Sequence, residues 1–236
     1  MIRLYPITVS QPMPCPYFPD RASRIEFFYA ADLSREEADE HLSRGWRCFG
    51  LHYFRPVCDC LACVSMRVPV QRFTPSKSQR RVLKKNADVE VKVGQLRYSD
   101  EILAIYNEHS LTRFGKSPDS GEEFVSHFYT PSGPSAQSEF RIGGKLAGVG
   151  FLNLSEKGIS SVYFVYRGGL EERSFGIFSM LAEIEFAKTA GLEFYYPGYW
   201  IKEHPRMNYK GSLRPKQLLD RATEQWNEEA AVDGLR

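Results

Sequence analysis

The feature that most constrains the fold is a regular alternation of helix and strand signals in the second half of the chain. Gly143-Gly144 separates two segments with strand character, which predicts a β-hairpin. Downstream, the alternation continues with a third strand, a long helix that Gly191 ends, and a fourth strand. The predicted bounds are Ser138–Ile142, Lys145–Leu152, Ile159–Tyr166, Ser174–Ala190 and Leu192–Tyr196. This order favours a mixed α+β or α/β fold.

The first 95 residues have a different character, with many prolines, cysteines and aromatic residues. Helix signals stand out only at Ser34–Gly45 and from Ser76 to about Lys85, and the remainder is predicted to be largely irregular. We therefore expect two domains, an irregular Cys-containing N-terminal domain at 1–95 and a regular domain at 96–236.

The charge distribution is asymmetric. The 236-residue chain has a formal net charge of only +2, yet residues 41–87 contain ten Lys and Arg residues against a single acid, Asp59. A basic block on an otherwise acidic chain predicts a site for a polyanion, although a solvated basic face remains the alternative.

Part of this block is predicted to be a helix with one cationic face. Ser76 followed by Gln79 forms a capping-box pattern at its start. At about 100° per residue, the basic side chains fall within an arc of roughly 140°. These side chains are Lys77, Arg80, Arg81, Lys84 and Lys85. Like charges at i,i+4 destabilise a helix, so an anion bound there would explain the pattern.

The sequence gives little sign of export or of a membrane segment. No apolar run approaches the roughly 20 residues that cross a bilayer, and the start lacks the apolar core of a signal peptide. Five cysteines, three of them at positions 58, 60 and 63, do not suggest a secreted disulfide framework. We expect a cytoplasmic protein that does not enter the membrane.

Several ordered motifs resemble those of the aminoacyl-tRNA–protein transferases, which include the bacterial aspartate/glutamate leucyltransferases and the arginyltransferases. The resemblance spans roughly residues 13–220. Its motifs are Cys15-Pro16-Tyr17, Phe54–Cys58, Arg67–Val70, Phe73–Leu83, Gly198–Ile201, Met207–Lys210 and Arg214-Pro215.

The resemblance implies a GNAT-like acyltransferase domain after the N-terminal region. It also implies an enzyme that moves an amino acid, leucine with arginine left open, from charged tRNA to the N-terminal amine of proteins beginning with Asp or Glu. Such tagging marks proteins for proteolysis through the N-degron route. Because the donor ester is already activated and the amine has a pKa near ~8, the reaction requires positioning and oxyanion stabilisation rather than a cofactor.

Candidate catalytic residues follow from the same motifs. Glu185 matches an Ile-Glu pair of the family and is expected to lie buried on the long helix, with a structural salt bridge as the alternative role. Tyr199 and Lys210 complete the catalytic set. The expected substrate-binding residues are Arg67, Ser76, Ser78, Gln79, Arg80, Arg81, Lys84, Ser174, Trp200 and Tyr209. For the aromatic residues, ordinary core packing is the alternative.

The sequence is also compatible with a metal site and with two other functions. Cys15, Cys58, Cys60 and Cys63 are candidate zinc or iron–sulfur ligands, but their spacing differs from the usual C-x₂-C pair, and buried reduced thiols are the alternative. An acetyl-CoA-dependent N-acetyltransferase would share the order of elements, but the turn at Ser174 lacks a second small residue for a phosphate. A non-catalytic, metal-containing RNA-binding protein is the third hypothesis.

Overall fold

The structure, a computed structural model, describes residues 1–115 and 119–229. Within these residues the helices are α1 (Arg35–Ser43), α2 (Lys77–Lys85), α3 (Asp100–Phe114), α4 (Gly121–Phe128) and α5 (Phe175–Thr189). The strands of the first 95 residues are β1 (Ile2–Arg3), β2 (Thr8–Val9), β3 (Met13–Pro14), β4 (Ala22–Ser23), β5 (Ile25–Ala31), β6 (Arg47–Phe49), β7 (His52–Pro56), β8 (Val64–Pro69) and β9 (Val89–Gly94). The later strands are β10 (Ser135–Ile142), β11 (Lys145–Leu154), β12 (Gly158–Tyr166), β13 (Phe194–Trp200), β14 (Gln217–Asp220) and β15 (Gln225–Glu228).

Two main sheets organise the molecule. The larger has the strand order β15-β14-β8-β13-β12-β11-β10-β9, and the smaller has the order β1-β5-β7-β6 with β2 paired to β5. The mixed α/β class is therefore confirmed. The expectation of an irregular N-terminal region is wrong, because aromatic residues from Phe27 to Phe54 build the smaller sheet. The larger sheet takes β8 and β9 from the first 95 residues, so a boundary at residue 95 falls within a sheet.

The larger sheet is covered by helices on both faces. On one face α5 packs through Leu181 and Ile184 against apolar side chains of β8 and β12, including Ile159. On the other face α3 and α4 pack through Ile105 and Phe124 against the apolar side chains of β11. Burial of this apolar surface on both faces is what fixes the sheet between its helices.

The predicted helices and the hairpin are confirmed by the structure. Gly143 and Gly144 both have positive φ, as the turn between β10 and β11 requires, and these strands pair antiparallel. Helix α1 starts with a capping box at Ser34, and α3 ends at Gly115 in the left-handed conformation.

Helix α2 also starts with the predicted capping box. The hydroxyl of Ser76 accepts a hydrogen bond from the Gln79 backbone, and Gln79 Oε1 accepts one from the Ser76 backbone at 2.8 Å. The side chain of Gln79 is buried, and its Nε2 donates to the carbonyl of Ser212 at 3.1 Å. Gln79 is thus a structural link and is not presented to a nucleic acid, which corrects its assignment as a binding residue.

Near the end of the described chain, Gln225–Glu228 forms strand β15, which pairs with β14. Residues 230–236 lie outside the described part of the chain. In the described residues, no helix combines the length and the apolar character that a membrane span needs.

We predict that Gln79→Ala lowers the free energy of unfolding by about 1–2 kcal/mol, because it removes the side chain that closes the capping box and takes away the hydrogen-bond donor of the Ser212 carbonyl. Urea denaturation followed by circular dichroism measures this change. Ser78→Ala is the matched control, because Ser78 is exposed and its loss is expected to cost less than about 0.5 kcal/mol. Equal stability of the two variants would contradict the structural role of Gln79.

Candidate functional site

The candidate site lies where two neighbouring strands of the larger sheet separate. Strands β12 and β13 are parallel, and they pair only at Gly158↔Phe194, Ile159↔Tyr195 and Ser160↔Tyr196. Beyond these pairs the strands diverge towards their carboxyl ends. Ligands of open α/β sheets bind at such carboxyl ends, so the wedge between β12 and β13 is the natural place for a substrate.

A carboxylic acid is buried at the apex of this wedge. Glu183 of α5 is only 1% exposed, and it accepts hydrogen bonds from the hydroxyls of Tyr195 at 2.7 Å and Ser138 at 3.3 Å. Burial raises the pKa of Glu183 to about 7, while hydrogen bonds from Tyr195, Ser161 and Ser138 partly oppose the shift. A carboxyl group with this pKa can exchange a proton near neutral pH.

Glycine at position 150 makes room for this acid. A Cβ atom there would lie 2.3 Å from the hydroxyl oxygen of Ser138 and 2.7 Å from Oε1 of Glu183. Both distances are shorter than any ordinary contact, so a side chain at this position would displace the carboxylate from its partners.

Arg47 enters the wedge from the smaller sheet. Its guanidinium donates hydrogen bonds to the hydroxyl of Ser160, to the carbonyl of Ser161 and to the carbonyl of Tyr196, the last at 3.3 Å. Arg47 therefore contacts both strands at the point where they part. Burial lowers its pKa from the usual value for arginine, although the group stays charged.

Lys210 and Tyr209 reach the same region from a 3-10 helix, Asn208–Ser212. Lys210 Nζ donates to the carbonyl of Tyr199 at 3.2 Å. The loss of water around Lys210, together with the nearby charge of Arg47, lowers its pKa to about 7. Tyr209 is 38% exposed and lies close enough to Glu183 for that carboxylate to raise its pKa, after the larger effect of burial.

Helix α2 presents the predicted cationic surface. The side chains of Lys77, Ser78, Arg80, Arg81, Lys84 and Lys85 are exposed, while Val82 and Leu83 are half-buried against the core. Among the described residues, none of these five cations forms a salt bridge. The side chain of Gln79 joins α2 to the 3-10 helix that carries Lys210 through a hydrogen bond, so the basic surface is held next to the segment that enters the wedge.

Two of the three expected catalytic residues are not placed as the sequence suggested. Glu185 is exposed on α5, so the premise that it is buried is wrong and its side chain does not reach the wedge. Tyr199 is buried, and its hydroxyl donates to the carbonyls of Gly45 at 3.2 Å and Phe54 at 3.3 Å. It holds the two sheets together and presents no free hydroxyl. Lys210 does lie at the wedge.

Several expected binding residues are engaged in contacts within the protein. The guanidinium of Arg67 lies 3.8 Å from the ring centre of Phe194 and 4.5 Å from that of Trp226. Trp200 donates through Nε1 to the carbonyl of Asn208 at 3.1 Å and is half-buried. These contacts explain the positions of both side chains without a ligand.

The start of α5 is not shaped as an anion site. Ser174 precedes the helix with φ of 52° and ψ of 45°, in the left-handed region, and its side chain caps no backbone amide. Arg173 beside it is paired with Asp88 at 2.7 Å. The expected role of Ser174 in binding a substrate remains a prediction.

The four candidate ligand cysteines do gather in one region. Burial and the neighbouring Cys58, Cys15 and Cys60 raise the pKa of the Cys63 thiol to about 12, which favours the protonated form. Across residues 1–115 and 119–229, no group of three or more His, Cys, Asp or Glu side chains is arranged to hold a metal ion. The thiols as placed in the described residues therefore do not fit a zinc or iron–sulfur centre.

Sequence reasoning missed Glu183, Tyr195 and Arg47. Helical periodicity gave no signal for Glu183, because buried side chains surround α5: Phe178 and Leu181 lie on the same side of the helix as the exposed Glu185. Arg47 was visible as a lone cation inside an aromatic strand. Its insertion into the other sheet depends on tertiary structure that no local pattern encodes.

Comparison with known proteins defines the class and then the family. Residues 101–220 match the family model for the C terminus of arginine-tRNA-protein transferase, and residues 13–81 match the model for its N terminus, so the class is transferase. The chain is 36% identical over 213 residues to the aspartate/glutamate leucyltransferase of Marinobacter nauticus, covering 88% of this chain and 90% of that protein. The corresponding protein of Pseudomonas putida strain W619 is 37% identical over 215 residues, covering 89% and 92%.

The chain belongs to the aminoacyl-tRNA–protein transferase family. Among solved structures it is similar to FemX, with a TM-score of 0.50 and 9% sequence identity, over 77% of this chain and 65% of that one. A likeness at this identity concerns the fold alone.

We predict that Glu183→Gln removes a pH-dependent component of stability. The pKa of Glu183 is raised from 4.5 to about 7 in the folded protein. Its contribution is therefore fully present below pH about 4.5 and is lost as the pH rises through about 7, a change of about 3 kcal/mol. Unfolding free energies of both proteins, measured by denaturant titration from pH about 4 to about 8, should show this difference. Parallel pH profiles would contradict burial of an ionisable acid.

Proposed function

We propose that the protein transfers leucine from leucyl-tRNA to the α-amine of proteins that begin with Asp or Glu, and that it does so in the cytoplasm as a step of N-degron proteolysis. Membership of the family supports the use of a tRNA-linked amino acid. The names of the two relatives, both aspartate/glutamate leucyltransferases, support leucine as the donated residue and acidic N-termini as acceptors. Arginine is the alternative donor that the assay below tests.

The observation that carries the proposal is the connection between α2 and the wedge. Exposed Lys and Arg side chains are suited to the phosphates of a nucleic acid, and α2 carries five of them on its surface. The 3.1 Å hydrogen bond from Gln79 to Ser212 fixes this helix beside the segment that carries Lys210. An acceptor stem lying along α2 would therefore bring its 3′ end towards the diverging strands.

The fold supports the same proposed function. A mixed sheet in which a helix connects two parallel, diverging strands corresponds to the GNAT-like arrangement expected from the order of elements. In this proposal the GNAT-like unit extends beyond residues 96–236, because it includes β8 and β9. The smaller sheet then serves as the element that delivers Arg47 to the wedge.

In the proposed reaction, the α-amine attacks the carbonyl carbon of the leucyl ester, and the bond from that carbon to the ribose oxygen breaks. The amine loses a proton, and the departing ribose oxygen gains one. Glu183 is suited to receive the first proton through the hydroxyl of Tyr195, which is hydrogen-bonded to it at 2.7 Å, because the pKa of Glu183 is about 7. Holding the two reactants in register supplies most of the remaining acceleration, up to roughly 7–11 kcal/mol.

Direct assay tests the proposal. The protein is incubated with leucyl-tRNA or arginyl-tRNA and with a peptide beginning with Asp, and the mass of the peptide is measured. Addition of one leucine residue is expected. Addition of arginine instead would correct the donor, and no addition from either tRNA would overturn the proposal.

We predict that the double variant Arg80→Glu/Arg81→Glu loses transfer by at least about tenfold, because it replaces two phosphate-binding cations with repelling anions. The fold should be retained, since both side chains are exposed. The initial rate of leucine transfer at fixed leucyl-tRNA concentration is the measurement. The double variant Lys92→Glu/Lys145→Glu carries the same change in net charge on exposed residues of β9 and β11. An equal loss in this control would show that net charge, rather than α2, governs donor binding.

A further inference from the structure

Two cations border one small space at the wedge. A Cβ atom at Gly198 would lie 3.4 Å from Nη2 of Arg47 and 3.5 Å from Nζ of Lys210. Gly198 has a φ of 92°, and it interrupts the regular pairing of β13 with β8. A side chain at this position would contact both charged groups, so glycine leaves the side that they share uncovered.

Neither cation has an anionic partner among the residues that the structure describes. Arg47 donates to the Ser160 hydroxyl and to two backbone carbonyls, and Lys210 donates to the carbonyl of Tyr199. All of these acceptors are neutral. Burying two like charges together without an anion is costly, and the lowered pKa of Lys210 reflects that cost.

The position of the pair relative to Glu183 indicates which anion it takes. Neighbouring residues of β13 link the two groups, because the carbonyl of Tyr196 accepts a hydrogen bond from Arg47 while the hydroxyl of Tyr195 donates one to Glu183. A substrate amine near Glu183 therefore places its own short side chain within reach of Arg47. The side-chain carboxylate of Asp or Glu is separated from the α-amine by only a few bonds, which matches this spacing.

A phosphate of the donor is the competing anion. The exposed cations of α2 already provide a surface for phosphates, and they lie outside the wedge. Arg47 and Lys210, by contrast, are both half-buried, and Arg47 can bind a planar carboxylate through two N–H groups. The observations therefore favour a carboxylate.

We propose that Arg47 and Lys210 bind the side-chain carboxylate of the acceptor's N-terminal Asp or Glu and thereby select acidic acceptors. The proposal rests on the proposed function, since it assigns the acceptor subsite of the same reaction. Recognition through a paired charge rejects the amide analogues, because Asn or Gln would leave the cations without an anion.

The test compares four peptides that begin with Asp, Asn, Glu or Gln, using the full chain and leucyl-tRNA. In Lys210→Gln, the ratio of kcat/KM for Asp over Asn peptides should fall about 10- to 100-fold, the range for a lost hydrogen bond to a charged group. Lys210→Arg restores a cation and should recover most of the ratio. Arg80→Gln is the matched control, because it removes one exposed cation and should leave the ratio unchanged.

Binding without tRNA separates this proposal from the proposed function. Fluorescence anisotropy of labelled Asp and Asn peptides measures acceptor binding even if the wild-type protein transfers no amino acid. Preference for the Asp peptide in the wild type and its loss in Lys210→Gln would support the subsite. Equal loss of activity with all four peptides, accompanied by a raised KM for leucyl-tRNA, would overturn it and assign the pair to the donor phosphate.

Discussion

The insertion of Arg47 between β12 and β13 is the contact on which the geometry of the wedge depends. Where two paired strands separate, their inner backbone groups lose their partners, and a buried carbonyl without a donor is costly. Arg47 donates to the carbonyls of Ser161 and Tyr196, one on each strand, at this position. A single guanidinium thus donates hydrogen bonds to a backbone carbonyl on each strand while keeping the strands apart. It also anchors the smaller sheet to the larger one. Tyr199 reinforces this junction through its bonds to Gly45 and Phe54.

The buried polar groups behind the wedge cost stability but provide an acid that can exchange a proton. Glu183 lies among apolar side chains of α5, where a leucine would pack at no electrostatic cost. Its carboxylate is retained within a network of Tyr195, Ser138 and Ser161, for which Gly150 leaves the room. An acid held in this way has a pKa near that of a working proton acceptor, and perturbed groups of this kind concentrate at functional sites.

Local signals in the sequence were sufficient for α1, α2, the long helix and strands of the second half, and the basic surface of α2. The capping box at Ser76 and Gln79, the Gly143-Gly144 turn and the helix stop at Gly191 each depend on neighbouring residues, and each was predicted correctly. The site was predicted less well, because it depends on pairing between distant segments. The sequence predicted that Tyr199 and Trp200 are aromatic residues of a substrate pocket. Strand β13 instead continues through both residues, and each forms a hydrogen bond within the protein. A family motif favoured Glu185 over Glu183, and helical periodicity does not separate the two because α5 is apolar and buried on nearly all sides.

The cations proposed to bind the substrates fall into two groups whose physical behaviour differs. Those of α2 are exposed, so their attraction for an anion is long-ranged but screened by salt over about 8–10 Å. Arg47 and Lys210 are half-buried, so salt screens them less, and their attraction depends on close, directed hydrogen bonds. In the proposed reaction these properties match two different demands. A large donor is captured through many weak phosphate contacts that can release it after transfer. A small acidic side chain is distinguished from its amide through a few contacts that water does not replace. Separating the two groups in space allows both substrates to be bound by the same kind of charge without competing for it.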